Sequence, residues 1–314
     1  MSVIVVGAGI SGVACAQALR TAGVSVRVLE RAHTVGGRMA SRRLHGRPVD
    51  LGAAYFTVTD PEFAELVARW RTVGLARPWT TQLAVLADGG RDHTSGPMRW
   101  AAPAGLRSLV QELAGGLDVE LERQVCHVGP GPAVDGEVAE IVVLAMPDPQ
   151  ALRLVHPSSP TATELADRAW RPSIAVAAGW PSRQWDPLPA AFVNGHPVVT
   201  TIADDGDRRG DGAAVLVTHT TAESARAHDA APDAAVPVVL DALRELLDVR
   251  AAPEWTHAHR WRFAAPDTAR EQPYFLGPDG IALAGDGWGP PKVETAWRSG
   301  TLLGRAVVER LAAG

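Results

Sequence analysis

The sequence predicts an α/β protein in two parts: a parallel sheet covered by helices, and a second, α+β part built on a mostly antiparallel sheet. Three observations predict it. The apolar run Val3-Ile4-Val5-Val6 passes directly into the glycine cluster Gly7-x-Gly9-x-x-Gly12 and then into an Ala- and Leu-rich stretch to Arg20. Fully apolar runs recur in "AEIVVLAMPDPQAL" and in "GIALAGDG", the second leading into a long C-terminal helix. From Ala162 onward the texture becomes one of alternating strands, which is the pattern of a sheet with two different faces.

Each element follows in order. A short β-branched run reads as a buried parallel strand. Gly7 permits the tight turn after it, Gly9 lets the backbone approach a diphosphate, and Gly12 lets the helix pack close to the strand. The phosphate charge would then lie against the free N–H groups at the helix N-terminus. The helix is expected to end at Gly23, and the second strand, Val24 to Leu29, ends in Glu30, 18 residues after Gly12. That is close to the spacing of a carboxylate that accepts from both ribose hydroxyls, so this is a Rossmann-like unit for an unphosphorylated adenosine.

Gly36-Gly37-Arg38-Met39 follows the acid, and a second glycine pair with Arg is not needed for NAD. It resembles the extension found in the amine oxidase superfamily of flavoproteins, where this Arg and its glycines lie along the FAD diphosphate and ribityl chain. An Arg fork suits that anion. Val49 to Thr57 reads as a strand running into a glycine-permitted turn, Pro61 to Arg71 as an amphipathic helix, and Val85 to Arg91 as a hairpin around Asp88-Gly89-Gly90. "APAGLRSLVQELAGGL" is a helix of good period ending at Gly115-Gly116, and "AEIVVLAMPDPQAL" is a central strand halted by Pro147 and Pro149.

The strands "SIAVAAGW", "AAFVN", "PVVTTIA" and "AAVLVTHT" are interrupted by a polar loop, "DDGDRRGDG", and followed by the helix "VPVVLDALRELLD" and by "EWTHAHRWRFA". The closing strand and helix must return to the first sheet. The FAD-binding domain is therefore expected to be discontinuous, from residues 1–70, 100–160 and 270–314, with a substrate domain from 71–99 and 161–269.

Composition narrows the function. The 46% hydrophobic and 21% charged residues are those of a soluble globular protein, and a net charge of −5 without basic runs excludes nucleic acid as an expected partner. No apolar stretch is long enough for a membrane span, and the chain starts in its first strand without a basic leader, so a cytoplasmic protein is expected. Cys15 lies in the first helix and Cys126 in a strand-like segment, which makes neither a disulfide framework nor a metal site. His257-x-His259 is the closest histidine pair and lacks a third ligand nearby, so no metal is expected.

Four stretches, "GAGISG…GGRMA", "DLGAAYFT", "HRWRFA" and "GDGWGPPKVETAWRSG", are similar to the renalase family, particularly its bacterial members, within the amine oxidase superfamily. "MRWAAPAGLRSL" and "AAFVNG" also resemble intermediate blocks of that family, so the likeness runs over essentially the whole chain. It implies non-covalent FAD, a hydride taken from a dihydropyridine nucleotide isomer, and dioxygen reduced to hydrogen peroxide. It extends the cofactor-binding set beyond Gly7, Gly9, Gly12, Glu30, Gly37 and Arg38 to Ile10, Ser11, Arg31, Met39, Gly52, Ala53, Ala54, Tyr55, Val125, Asp286, Lys292 and Val293.

Asp286 is expected beside the ribityl chain or the diphosphate. Lys292 is a cation next to a helix N-terminus, where the dipole disfavours it, so it wants an anion such as the N1 and O2 edge of the reduced flavin. Tyr55, His259, Trp261 and Lys292 are expected at the reacting atoms, with Arg262 beside them in a substrate wall. Hydride loss from a dihydropyridine needs no base, which suits a chain with no evident Ser-His-Asp or Cys-His set. Two departures from the family bear on substrate choice: Ala54 where Gln is common, and the acidic loop from Asp204 to Asp211 in place of a more neutral segment. Two other functions compete. One is an amine oxidase or desaturase, whose aromatic cage would have to come from Tyr55, Tyr274 or Trp288. The other is a non-catalytic FAD-bearing accessory protein.

Overall fold

The computed structural model describes residues 2–87, 90–129 and 131–313. A six-stranded sheet places Ser2–Val6 between Ser25–Leu29 and Ile141–Leu144, all parallel. Asp118–Glu120 extends it on one side, and Ile281–Leu283 on the other, with Phe275–Leu276 as an antiparallel edge. Side chains alternate across its faces. Val3 and Val5 pack on the helices Ile10–Thr21 and Val293–Ala313, while Ile4 and Val6 pack with Leu144, Ala151 and Leu165 on the other side. Burial on both faces is why these strands are apolar throughout. The C-terminal helix returns to the first one at backbone contact: a Cβ on Gly300 would lie 1.9 Å from the Ser11 carbonyl oxygen, and one on Gly304 2.8 Å from that of Cys15.

A seven-stranded sheet runs in the order Trp255–Pro266, Trp170–Gly179, Val215–Thr220, Val199–Asp204, Ala190–Val193, Arg77–Ala87 and Gly90–Ala101. It is antiparallel except where Ala190–Val193 meets Arg77–Ala87. One face, including Ile174, Val176 and Leu216, packs on the helix Ala235–Leu247. The other, through Ala175, Ala177, Val215 and Val217, packs on Val49 of the hairpin Ser41–Leu44/Arg47–Asp50 and on Leu51 just after it. That hairpin joins the two sheets.

Several elements differ from expectation. The hairpin of Val85 to Arg91 is the tip of a longer one, Arg77–Ala101, and its Asp88-Gly89 pair lies outside the described residues. The helix expected from Ala102 begins only at Arg107, because Gly105 takes φ +91° and closes against the Ser41 hydroxyl. The strand expected from Val49 to Thr57 stops at Asp50, since the next residues turn back onto Arg38: Ala53 N–H donates to the Arg38 carbonyl at 2.9 Å. Cys126 is in no strand; its N–H donates to Asp135 Oδ1.

The largest difference is the polar loop 204–212. Its core is a short buried helix, Asp205–Arg209, with Asp205 0% and Arg208 1% exposed. Asp204 caps it by accepting from Asp207 N–H at 2.9 Å. Opposite charges packed against each other, rather than against water, are what allow such a sequence indoors.

The Gly300 contact sets two effects against each other. Gly300→Ala gains about 1 kcal/mol of helix propensity, but its methyl must force two backbones apart, at about 1–3 kcal/mol. Thermal unfolding is expected to show net destabilisation. An unchanged or raised Tm would mean that the two helices do not meet there.

Candidate active site

The glycine loop is a cradle floored by backbone. Gly7 takes φ +105° and leaves no room for a Cβ, which would lie 2.7 Å from the Ala145 carbonyl oxygen; a Cβ on Gly12 would lie 2.0 Å from that of Gly7. The helix Ile10–Thr21 starts at Gly9 with no side-chain cap, so its first N–H groups are unclaimed. The Ser11 hydroxyl is buried and has no hydrogen-bond partner among the described residues. Glu30 accepts from Ala8 N–H at 2.8 Å and Ala32 N–H at 2.9 Å, while the Ala8 carbonyl accepts from Gly36 N–H at 2.9 Å. The second glycine turn is thereby held on the first, and a Cβ on Gly37 would lie 3.1 Å from Gly9 Cα. An uncapped helix end, a floor without side chains and an orphan hydroxyl together fit a dinucleotide diphosphate. Arg31 is exposed at the rim, and Met39 and Val125 are buried.

Arg38 and Asp286 meet each other. The guanidinium donates to both carboxylate oxygens at 2.7 and 2.6 Å, donates to the Ala264 carbonyl at 3.1 Å, and lies 5.0 Å from the Trp170 ring. Sequence reasoning assigned both to FAD separately and missed that they are mutual partners. Gly285 N–H donates to Ser299 Oγ at 3.0 Å, which ties the Asp286 turn to the last helix. Lys292 stands at the start of that helix, its carbonyl accepting from Ala296 N–H at 3.1 Å, with Val293 half-buried after it. The Lys292 side chain is exposed and makes no hydrogen bond or ion pair among the described residues. Burial of Glu294 opposes its ionisation, but hydrogen bonds from Asp60 and Thr59, with the charge of Lys292, hold its carboxyl below the ordinary value.

The turn Leu51–Tyr55 is clamped from three sides. The Leu51 carbonyl accepts from Trp261 Nε1 at 2.7 Å and lies 3.3 Å from His219 Nε2, which fits the Nε2–H tautomer. The Ala54 carbonyl accepts from Arg208 Nη1 at 2.9 Å. Asp50 accepts from the Ser41 hydroxyl and from Leu106 N–H, and pairs with Arg209 at 3.1 Å. Asp205 binds Arg208, Arg209 and Arg47, the last at 2.6 Å. Burial would raise the Asp205 carboxyl, but these three guanidinium groups hold it well below the usual carboxylate range.

Above this turn the register of the large sheet aligns one row: His259, Ala175, His219, Thr201, Phe192 and Val85 are cross-strand neighbours and share a face. His259 and Trp261 touch edge to face at 4.4 Å. Burial holds both His219 and His259 down at about 4; the charge of Arg208 adds to this at His219, and those of Arg42, His257 and Arg107 at His259. The row was only half visible beforehand. His219 alternates with Val215 and Val217, a signal that was available, whereas the link from His219 to His259 runs through Ala175, on a strand distant in sequence from both. Arg208 was hidden in the supposed loop.

Two aromatics suggested for an amine cage are not free. Trp288 is core, with Arg270 at 4.1 Å over its ring, and Tyr274 packs against the first core cluster. Tyr55 sits 6.2 Å from Trp79 with Arg99 5.6 Å from its ring. Among the described residues no three His, Cys, Asp or Glu are grouped to hold a metal ion, and no helix is long and apolar enough to cross a membrane.

Comparison with known proteins agrees with this arrangement. Residues 5–70 match the model of an NAD(P)-binding Rossmann-like domain, and residues 70–308 that of the flavin containing amine oxidoreductases. Coproporphyrinogen III oxidase of Mycobacterium leprae is 29% identical over 189 residues, spanning 55% of this chain and 41% of that protein. Mouse renalase is 24% identical over 298 residues, spanning 83% of this chain and 84% of renalase. Cyclohexylamine oxidase from Brevibacterium oxydans IH-35A shares the fold, with a TM-score of 0.78 at 17% identity over 99% of both chains. The chain spans less than half the length of the coproporphyrinogen III oxidase it matches, and it belongs to the flavin containing amine oxidoreductase family.

Proposed function

We propose that the protein is an oxidase that removes a hydride from a dihydropyridine nucleotide isomer and delivers the electrons to dioxygen, giving hydrogen peroxide. Bound FAD supplies the hydride acceptor and the two-electron exchange with dioxygen. One observation carries this choice of substrate: the faces of Tyr55 and Trp170 beside the site are already covered by guanidinium groups. Arg99 lies over Tyr55 at 5.6 Å and Arg38 over Trp170 at 5.0 Å. A protonated amine seeks such faces and would find them already occupied, whereas a nucleotide brings phosphates. The likeness to mouse renalase over most of both chains supports the same reading.

Each residue then has a task. The unclaimed N–H groups after Gly9 and the Ser11 hydroxyl take the cofactor diphosphate, with Arg31 at its rim. Glu30 has lone pairs left beyond its two backbone bonds and takes the ribose hydroxyls. Gly52, Ala53 and Ala54 would line one side of the cofactor site, and the Arg38–Asp286 pair would hold the cofactor without adding net charge. Trp261, held in plane by its bond to Leu51, and His259 wall the substrate ring. Neutral imidazoles suit this reaction, because aromatisation drives hydride loss and no side chain need take a proton. The family as a whole favours a second reading, oxidation of an amine.

Anaerobic mixing of the FAD-loaded protein with a panel of donors separates these readings. Dihydropyridine nucleotide isomers are expected to bleach the flavin, and polyamines and coproporphyrinogen III to leave it oxidised; the reverse pattern would sink the proposal. With His219 and His259 held near 4, the reduction rate is expected to be flat through the usual imidazole range near about 6.5. A break there would show an imidazole taking a proton during turnover.

Lys292, exposed and without a hydrogen-bond or ion-pair partner among the described residues, is assigned to the edge of the flavin that becomes negative on reduction. Lys292→Met keeps most of the volume and removes the charge. The flavin potential is expected to fall, by about 30 mV for each 1.4 kcal/mol lost, with FAD still bound and its oxidised absorbance little changed. An unaltered potential would make Lys292 a solvated cap residue.

A further inference from the structure

Four nitrogen-bearing side chains beside the seven-stranded sheet lack a hydrogen-bond or ion-pair partner among the described residues. Arg42, Arg107, His257 and His259 make no side-chain hydrogen bond and no ion pair among the described residues, whereas Arg208, Arg209 and Arg270 in the interior are ion-paired. Two of their atoms, Arg107 Nε and His257 Nε2, are inaccessible to solvent and still unsatisfied. Buried donors without acceptors are uncommon and costly, so such a set asks for a ligand.

The fold brings these groups together from three elements. Arg42 pairs across the hairpin with Val49, so both lie on the hairpin face that packs on Ala175 and Ala177. Those alanines are the cross-strand neighbours of His259 and His257, which puts both imidazoles beside Arg42. Arg107 N–H donates to Ser41 Oγ at 3.2 Å, next to Arg42 in the chain, and the Arg107 side chain lies against Gly36. His259 feels the charges of Arg42, His257 and Arg107, and Arg107 that of Arg42. The two nearest carboxylates do not neutralise the set. Asp50 is committed to Ser41, Leu106 and Arg209, and Asp233 makes no bond to His257.

We propose that Arg42, Arg107, His257 and His259 form an anion subsite that takes the phosphate or diphosphate of the substrate. Two guanidinium groups supply the charge and two neutral imidazoles supply N–H donors, a set matched to phosphate oxygens. Arg42 is exposed and the other three half-buried, so the subsite opens to solvent. His259 belongs both to the subsite and to the pair with Trp261, so a diphosphate tail bound here would leave a ring held over the turn Leu51–Tyr55. This rests on the nucleotide reading of the site and adds to it the group that anchors the substrate. The same chemistry has a second source, the cofactor's own diphosphate, and the test separates the two.

The FAD-loaded protein is titrated with inorganic pyrophosphate at constant ionic strength, as wild type, Arg42→Met, Arg107→Met and, as a control on a distant helix, Arg69→Met. Each of the first two is expected to weaken binding by about tenfold or more, with Arg69→Met like wild type and the FAD dissociation constant unchanged in all. If Arg107→Met does not fold, the exposed Arg42 carries the test alone. Unchanged pyrophosphate binding in Arg42→Met overturns the subsite. So does a loss of FAD affinity with pyrophosphate binding intact, which would assign the cluster to the cofactor. The donor panel fails independently: arginine-dependent pyrophosphate binding without flavin bleaching would keep the subsite and discard the nucleotide, and bleaching with a KM indifferent to Arg42 would do the reverse.

Discussion

The arrangement depends on one buried ion network. Asp50 and Asp205 are each almost wholly withdrawn from water, and Arg208, Arg209 and Arg47 converge on them. Asp50 and Arg47 come from the hairpin after the second glycine turn; the other three come from the short helix at the end of a strand of the large sheet. The network is therefore the joint between the dinucleotide sheet and the roof. A network of this kind gives little net stability over an apolar core, but it specifies one relative position, because any shift would leave a charge buried and alone. Arg208 converts that position into site geometry by donating to the carbonyls of Ala54 and Asp50.

The same reliance on arginine sets the electrostatics around the site. Where a guanidinium is paired, as in Arg38 with Asp286 or Arg270 with Asp148 and Glu164, it holds a turn or a strand end in place and covers an aromatic face. Where it is unpaired, as in Arg42 and Arg107, it leaves a field that favours anions. Both effects disfavour a cationic substrate, by blocking its natural seats and by repelling its charge.

Much of this was legible in the chain. The β-branched run before Gly7, the spacing to Glu30 and the closing strand and helix are local patterns, and local patterns survive into the structure because both faces of the first sheet are buried. The segment 204–212 was misread for a physical reason: six charged residues within nine positions normally mean solvent, and only long-range partners at Asp50 and Arg47 make burial tolerable. The mutual pairing of Arg38 and Asp286, 248 residues apart, and the row joining His259 to Phe192 across five strands are likewise products of topology that no window of sequence contains. Trp288 shows the converse error: its ring was counted as available on residue type, and the core claims it.

The most direct measurement compares denaturant unfolding of Asp205→Asn and Asp211→Asn in the FAD-loaded protein, following flavin release and backbone structure together. Both carboxylates bind Arg47, but Asp205 is buried among three guanidinium groups and Asp211 is largely exposed. Asp205→Asn is predicted to cost about 3–5 kcal/mol and to release flavin at lower denaturant than wild type, while Asp211→Asn costs under about 1 kcal/mol and leaves flavin release in place. Equal, small effects for the two variants would contradict the account, because the joint between the sheets would then lie elsewhere.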